Sequence, residues 1–174
     1  MIISVEKAKS LIEFPGWTDE KIEMKLKAVE QTIRAYTSNN FQDRDHRRTA
    51  DIVGGLFMVE ALTPFDVGDT IQISESQHNK GLYTVVSVDD STFTVEEPTR
   101  DENDVLVTRV EYPADVVNCC VELMEWAVSY AGKVGIKSET LSRHSVTYED
   151  SSTMFMGYPA SLLGCLKPYR KARC

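Results

Sequence analysis

Histidines are the first residues in this sequence that could carry chemistry, because a neutral imidazole binds transition metals and moves protons near neutral pH. The three histidines are His46, His78 and His144. They fall in a charged stretch, a predicted turn and an alternating segment, and none lies within metal-ligand spacing of another. We therefore expect structural or solvated histidines rather than a metal centre.

The four cysteines could bind zinc or form disulfides. Cys119 and Cys120 are adjacent, Cys165 sits among small apolar residues, and Cys174 is the last residue given. No Cys-x-x-Cys pair and no cysteine–histidine cluster with zinc spacing occurs. We expect reduced thiols that pack as small apolar side chains.

Carboxylates crowd one short stretch, where they could hold a cation. The group consists of Glu96, Glu97, Asp101, Glu102 and Asp104. Its spacing differs from that of an EF-hand, which needs ligands at alternate positions and a distal Glu, so a solvated loop is expected. Glycine-rich phosphate loops and nucleophile elbows are also absent from the sequence. The sequence thus predicts a protein that is not an enzyme and uses no cofactor.

Basic residues form two groups. The stretch "DRDHRR" at 43–48 mixes both signs of charge, and intersubunit salt bridges are the favoured use of Arg47 and Arg48, with plain solvation as the alternative. The second group lies in "LKPYRKARC" and could dock on an acidic groove, since Arg and Tyr are preferred interface anchors. The alternative is a solvated, frayed segment. Its candidate docking residues are Lys167, Tyr169, Arg170, Lys171 and Arg173.

The overall charge argues against a protein whose main task is to grip nucleic acid. The chain has 27 acidic and 19 basic residues and a net charge of -8, whereas nucleic-acid affinity comes from neutralising phosphates. No apolar run approaches the about 18 residues that span a bilayer. Charges near the start, in "MIISVEKAKSLIEF", interrupt any signal-peptide core. We expect a protein made in the cytoplasm.

Helical periodicity marks the two flanks of the chain. A long amphipathic helix is predicted from Thr18 to about Thr37, and a second from Pro113 to Ala131. A short helix capped by Ser4 precedes them, and another begins at Tyr158–Pro159 and stops before Pro168. "LSRHSVTYED" alternates like an exposed strand or extended arm.

Between the flanks, short alternating apolar runs replace the helical pattern. "LFMVEAL", "TIQIS", "GLYTVVSV", "TFTVEE" and "VLVTRVEY" are rich in Val, Ile, Thr and Tyr and are separated by turn-forming stretches. "DDS" predicts a tight hairpin turn between two of them. Five such strands indicate a small barrel or sandwich.

These patterns predict an α+β protein with an interrupted helical domain. The domain is a small helical bundle of two long helices and short terminal helices, and a small β-barrel or sandwich is inserted into it. The predicted parts are 1–46 (helical), 47–112 (β module) and 113–174 (helical, with the arm and the basic tail).

The helical flanks resemble the head-tail connector, or adaptor, proteins of long-tailed bacteriophages. The resemblance covers a little over half the chain, while the inserted β module departs from the plainest members, in which a short loop joins the two long helices. The stretches that carry it are "SVEKAKSLIEF", "DEKIEMKLKAVEQTIRAYT", "YPADVVNCCVELMEWAV", "IKSETLSRHSVTYED" and "YPASLLGCLKPYRKAR".

The resemblance implies a structural virion protein at the portal vertex between head and tail. Such proteins form a homo-oligomeric ring, dodecameric by the resemblance, that binds the portal protein and docks the tail or a head-closure (stopper) protein. Genome DNA passes through the ring without specific binding, and no membrane is involved. The basic tail would reach the portal, and the arm would contact a neighbouring subunit or the tail through Arg143, Ser145 and Thr147.

A different class of function stays open from the residues alone. The β module could be a small barrel that binds nucleic acid or a peptide, with the helices as scaffold. Tyr83 and Phe93 are the aromatic residues on which such a barrel could stack bases. The few basic residues of the module, against many acidic ones, argue against single-stranded nucleic acid.

Overall fold

The structure is a computed structural model that describes residues 1–130, 138–141, 144–147 and 154–172. The chain divides into two compact units. One unit combines Met1–Asn39 with Tyr112–Cys174, and the other is the continuous segment Asn40–Glu111. The second unit is therefore a single insertion within the sequence of the first.

The first unit is built on three α-helices, and side-chain caps fix where two of them begin. They are α1 (Val5–Leu11), α2 (Asp19–Thr37) and α3 (Ala114–Ser129). The Ser4 hydroxyl accepts a hydrogen bond from the Lys7 amide at 3.1 Å, and the Thr18 hydroxyl accepts one from the Lys21 amide. The helices predicted at Ser4–Leu11 and Thr18–Thr37 are confirmed.

Apolar stripes on α2 and α3 form the core of this unit. Ile22, Leu26 and Ile33 of α2 and Leu123 of α3 are fully buried. Each such side chain contributes about 1.5–3 kcal/mol by leaving water. The spacing of three and four residues along α2 therefore predicted its buried face correctly.

The second unit is a closed barrel of six antiparallel strands. The strands are β1 (Gln42–Val53), β2 (Leu56–Val59), β3 (Thr70–Ser74), β4 (Gly81–Val88), β5 (Thr92–Val95) and β6 (Glu102–Val110). Around the barrel their order is β1-β2-β5-β4-β3-β6, and β6 pairs with β1 to close it. The predicted hairpin at "DDS" is confirmed, since Val88 of β4 pairs with Phe93 of β5.

The barrel interior is filled by alternate residues of its strands, as the pleat of a β-strand requires. The rings of Phe57 and Phe93 stack with centroids 4.6 Å apart, and Phe65 packs edge-on against Phe93. Ile71 and Ile73 of β3 are fully buried beside them. This is a packed side-chain core and not a channel.

Two short hairpins and a 3₁₀ helix complete the described chain. Strands β7 (Ser138–Leu141) and β8 (His144–Thr147) pair with each other, and β9 (Met154–Phe155) pairs with β10 (Tyr158–Pro159). The 3₁₀ helix is Gly164–Tyr169. Of the stretch predicted as an extended arm, the structure describes Leu141 and His144–Thr147, which are extended and pair as part of β7 and β8, with Ser145 and Thr147 in β8. The rest of that stretch lies outside the described residues.

The helix predicted to begin at Tyr158–Pro159 is wrong. Met156 and Gly157 both adopt positive φ, 49° and 84°, and make a tight turn that leaves Tyr158 and Pro159 extended in β10. A 3₁₀ helix follows only after a further turn, and Pro168 lies inside it.

The predicted fold class, a small helical bundle of two long helices, is also wrong. A closed six-stranded antiparallel barrel is the principal architecture, and the described helices other than α2 and α3 are short. The sequence pattern missed β1, because nine of its first ten residues are polar or charged and only Ala50 and Ile52 are fully buried. With β1 included, the barrel unit begins at Asn40.

Candidate functional site: charged surfaces of the two units

The negative charge of the protein lies on the barrel unit. Residues 40–111 contain 15 acidic and 6 basic residues, a net charge of -9. The remaining residues contain 12 acidic and 13 basic ones, a net charge of +1. The barrel unit is therefore strongly acidic, whereas the acidic and basic residues of the other unit nearly balance.

Glu102 is the best-connected acid of the barrel and fastens the β3–β4 loop. Its carboxylate accepts hydrogen bonds from the Ser76 hydroxyl at 2.7 Å and from the Gln77 amide at 2.5 Å. The His78 amide and the Asn79 side chain donate to it as well. Led by the Ser76 bond, these donors lower the pKa of Glu102 to about 2.

Other acids of the predicted cluster also accept backbone hydrogen bonds. Asp101 accepts from the Gly54 amide at 2.7 Å, and Glu97 accepts from the Thr84 amide at 3.0 Å. Asp101 thus holds the turn between β1 and β2, whereas Glu97 bonds to the backbone of β4. Across the described residues, no group of three or more His, Cys, Asp or Glu side chains could hold a metal ion.

A second charged cluster lies at the opposite end of the barrel, where the chain enters and leaves it. Asp43 and His46 are 2.6 Å apart, and Arg109 lies 3.9 Å from Asp69 and 3.4 Å from Glu111. Burial raises the pKa of Asp43, but hydrogen bonds from the Asp45 amide and from His46 outweigh it, so this pKa lies below its ordinary value.

The two arginines predicted for intersubunit salt bridges have partners within the barrel. Arg47 donates from Nε to the Thr108 hydroxyl at 3.0 Å, and Arg48 donates to the Arg47 carbonyl at 2.8 Å. Both side chains are half-buried. An intersubunit role for them stays a prediction.

Of the two aromatic residues proposed as a base-stacking platform, Phe93 is a core residue and Tyr83 is partly buried. Phe93 is 1% exposed and stacks on Phe57 inside the barrel. Tyr83 packs against the same core, and burial, followed by the nearby charges of Glu97 and Glu102, raises its pKa. The Phe93 ring is therefore not available to a nucleic-acid base, and the Tyr83 ring is in part covered by its packing against the core.

The outer face of β1, β2 and β5 carries three exposed apolar side chains, with the carboxylate residue Asp51 beside Met58 in the register. Strand register aligns Val53 with Leu56, and Leu56 with Thr94. Met58 lies further along β2, and Val53, Leu56 and Met58 are all exposed. Exposed apolar residues side by side on a small barrel are typical of contact surfaces.

The basic segment is held against the end of α2 by main-chain and side-chain bonds. The Lys171 amide donates to the Thr37 carbonyl at 2.7 Å, and the Asn39 side chain donates to the Tyr169 carbonyl at 3.2 Å. The Arg170 guanidinium lies 5.3 Å from the centre of the Tyr36 ring. Up to Lys171 the segment is therefore anchored and not frayed.

Anchoring leaves the cations of this segment in solvent. Lys167, Arg170 and Lys171 are exposed, whereas the Tyr169 hydroxyl donates to Asp115 at 3.1 Å. That hydrogen bond raises the pKa of Tyr169. The structure brings four of the five candidate docking residues together here. Arg173, like Arg143 of the arm, lies outside the described residues.

Sequence reasoning missed a buried polar network in the first unit. The Tyr112 hydroxyl donates to the Glu30 carboxylate at 2.6 Å and accepts from Arg34 at 3.3 Å. Glu30 is 4% exposed, and burial, with the Glu30 charge, raises the pKa of Tyr112 well above its ordinary value. The signal was present in the sequence, because Glu30 falls within the apolar stripe of α2.

A shallow groove lies where α1 turns into α2. It has a volume of about 410 Å³, and the rings of Phe14 and Trp17 in its wall are 5.8 Å apart. The Lys21 ammonium sits 4.2 Å over the Trp17 ring, and Lys9 pairs with Asp19. These contacts are structural and supply no nucleophile–base pair.

No family model matches the chain, and no curated protein matches it either. Within the part of the chain that the structure describes, none of the helices combines the length and the apolar character needed to cross a membrane.

Proposed function

We propose that this protein is a non-enzymatic docking protein, in which a helical scaffold carries a small β-barrel binding module. The observation that carries this proposal is the division of charge, -9 on the barrel unit and +1 on the rest. Complementary charge steers association and excludes wrong partners. The barrel is therefore suited to a protein partner with a basic surface.

The charge of the barrel favours a protein or peptide partner over a nucleic acid. Nucleic-acid binding draws its affinity from Lys and Arg that neutralise phosphates. Six basic residues among fifteen acidic ones provide the opposite field, and of the two candidate stacking rings Phe93 is buried in the core and Tyr83 packs against it. A peptide or protein surface is the better-supported ligand.

The biological setting that we propose is the head-tail connector of a long-tailed bacteriophage. What supports it is the sequence resemblance, together with the position of the stretches that carry it. All five stretches fall in the unit formed by Met1–Asn39 and Tyr112–Cys174, and the barrel is inserted between its two long helices. In this setting the protein is a virion component that forms a ring under the portal protein and extends the DNA channel.

Within the connector, the exposed basic segment is the element that we propose for portal binding. Lys167, Arg170 and Lys171 are exposed on a segment whose backbone is hydrogen-bonded to Thr37, so the main chain that carries them is held in place. Pre-organised charges bind with less loss of conformational freedom than a frayed tail. Arg173 belongs to the same proposed contact.

A matched pair of charge reversals tests the portal contact proposed for the basic segment. We expect Lys167→Glu to weaken co-sedimentation with the portal protein encoded in the same genome, and to do so more strongly at low salt, since exposed charges are screened over about 10 Å at 0.1 M salt. Lys7→Glu, an equal change at an exposed position of α1, should leave binding unchanged. Equal binding by both variants and wild type would show that the segment does not contact the portal.

A further inference from the structure

Two cysteine thiols from different elements share one hydrogen-bond acceptor. Cys119 lies on α3 and Cys165 on the 3₁₀ helix, and both thiols donate to the Leu162 carbonyl oxygen at 3.5 Å. The two sulfur atoms are therefore no more than 7 Å apart, twice that distance. Both cysteines are reduced.

The two thiols differ in their access to solvent. Cys119 is fully buried, whereas Cys165 is exposed. A reagent in solution therefore reacts first with Cys165, and the nearby Cys119 can then act as the resolving thiol. Such a pairing of an accessible cysteine with a nearby resolving one is typical of redox-responsive sites.

We propose that Cys119 and Cys165 form an intramolecular disulfide when the protein meets a low-molecular-weight disulfide such as glutathione disulfide. This inference rests on the thiol geometry and is independent of the proposed function. A disulfide needs the sulfurs at about 2 Å, so the Cys165 side chain rotates toward Cys119 from its exposed position on the 3₁₀ helix.

The reaction is two successive thiol–disulfide exchanges. Cys165 loses its proton to solvent and attacks glutathione disulfide, whose sulfur–sulfur bond breaks and releases one glutathione. Cys119 then loses its proton and attacks the Cys165 sulfur, releasing the second glutathione. The two cysteines are oxidised by two electrons in total, and one glutathione disulfide is reduced to two glutathione molecules.

The second exchange is the slower one at neutral pH. Burial raises the pKa of the Cys119 thiol, and the hydrogen bond with Cys165 and the charges of Glu122 and Cys120 raise it further. Because the thiolate is the attacking species, closure accelerates as the pH rises. A glutathione adduct on Cys165 is the expected transient species.

The cross-link would tie the 3₁₀ helix to α3. This helix contains Lys167 and leads directly into Lys171, so the disulfide fixes the base of the basic segment. Closing a long loop stabilises a folded chain mainly by restricting the unfolded one. We expect the oxidised protein to melt at a higher temperature than the reduced protein, and a reductant to reverse the difference.

Peptide mapping tests the proposal on the full chain carrying Cys174→Ser, which removes the one thiol outside the described residues. After incubation with glutathione disulfide and alkylation, we expect a Cys119–Cys165 linked peptide, a whole-protein mass lower by two hydrogen atoms, and alkylated Cys120. Cys120→Ser is the matched control, since it removes the adjacent buried thiol and should leave closure intact.

Cys165→Ser alters an exposed position and should fold normally, yet it should form neither the adduct nor the cross-link. A glutathione adduct that persists on Cys165 at neutral and mildly alkaline pH, a disulfide to Cys120, or dimers linked through Cys165 would each overturn the proposal.

Discussion

At the scale of single residues, carboxylates of the barrel hold backbone segments in place by accepting hydrogen bonds. Glu102 collects four donors from the β3–β4 loop, including the Gln77 and His78 amides. A carboxylate can accept all of them, whereas a neutral group of the same size cannot. The acidic character of this end of the barrel is thus partly a requirement of its loops.

Removing the charge of Glu102 should destabilise the protein in a pH-dependent way. The folded-state pKa of Glu102 is about 2 against an ordinary value of 4.5, so its stabilisation is complete above pH 4.5 and is lost as the pH falls toward 2. We expect Glu102→Gln to lower the urea midpoint at pH 7, and this deficit to shrink across that window.

Glu96→Gln is the matched control for this experiment, because Glu96 is exposed in the same stretch. Its midpoint should follow wild type at every pH. A deficit of constant size for Glu102→Gln between pH 7 and pH 2.5 would show that charge is not what the loop needs.

Tyr112 makes the second prediction at this scale. Tyr112→Phe removes the hydroxyl that donates to buried Glu30, and leaving a buried acceptor short of a donor costs about 1–3 kcal/mol. We expect the free energy of unfolding to fall by that amount in urea titrations. Tyr169→Phe removes a hydroxyl from a more exposed pair with Asp115, and should change stability by no more than about 0.5 kcal/mol.

At the scale of elements, hydrophobic periodicity predicted the amphipathic helices and strands and missed the strand that lacks an apolar face. The stripe from Ile22 to Ile33 predicted α2, and the alternation in "TIQIS" predicted β3. Strand β1 escaped because its pairing with β6 depends on long-range closure of the barrel, while its own sequence is mostly polar. Alternation of apolar residues cannot identify a strand that is mostly polar and that forms because neighbouring strands pair with it.

The candidate site was likewise predictable from the sequence only in part. The basic segment could be recognised from the sequence as a cluster of charges, but its anchoring to Thr37 and Asn39 required the fold. Conversely, Tyr83 and Phe93 are residue types that could stack on bases, and only the fold shows that Phe93 is buried in the barrel core and that Tyr83 packs against it. The residue types indicated which chemistry was possible, whereas the side of the barrel on which each ring lies depended on the tertiary structure.

Phe93 provides the prediction at this scale. Phe93→Ala should lower the free energy of unfolding by about 3–5 kcal/mol, because it leaves a cavity between Phe57 and Phe65. Thr94→Ala, one residue along β5, serves as the surface control and should cost less than about 1 kcal/mol. A small effect of Phe93→Ala in denaturant titrations would contradict a close-packed barrel core.

At the scale of the whole molecule, the uneven distribution of charge has a direct consequence for nucleic acid. With -9 on the barrel unit and -8 overall, phosphate backbones are repelled from most of the surface. We expect no saturable binding of fluorescein-labelled single-stranded or double-stranded DNA at physiological salt in anisotropy titrations. Binding in the micromolar range would favour a nucleic-acid module instead.

The most direct test of the docking account is the mass of the assembly that the protein forms with the portal protein encoded in the same genome. Native mass spectrometry of the mixture should reveal the portal oligomer carrying a full ring of this chain, and Lys167→Glu should reduce its occupancy. A portal oligomer that keeps its own mass up to the solubility limit of this protein would contradict the proposed function.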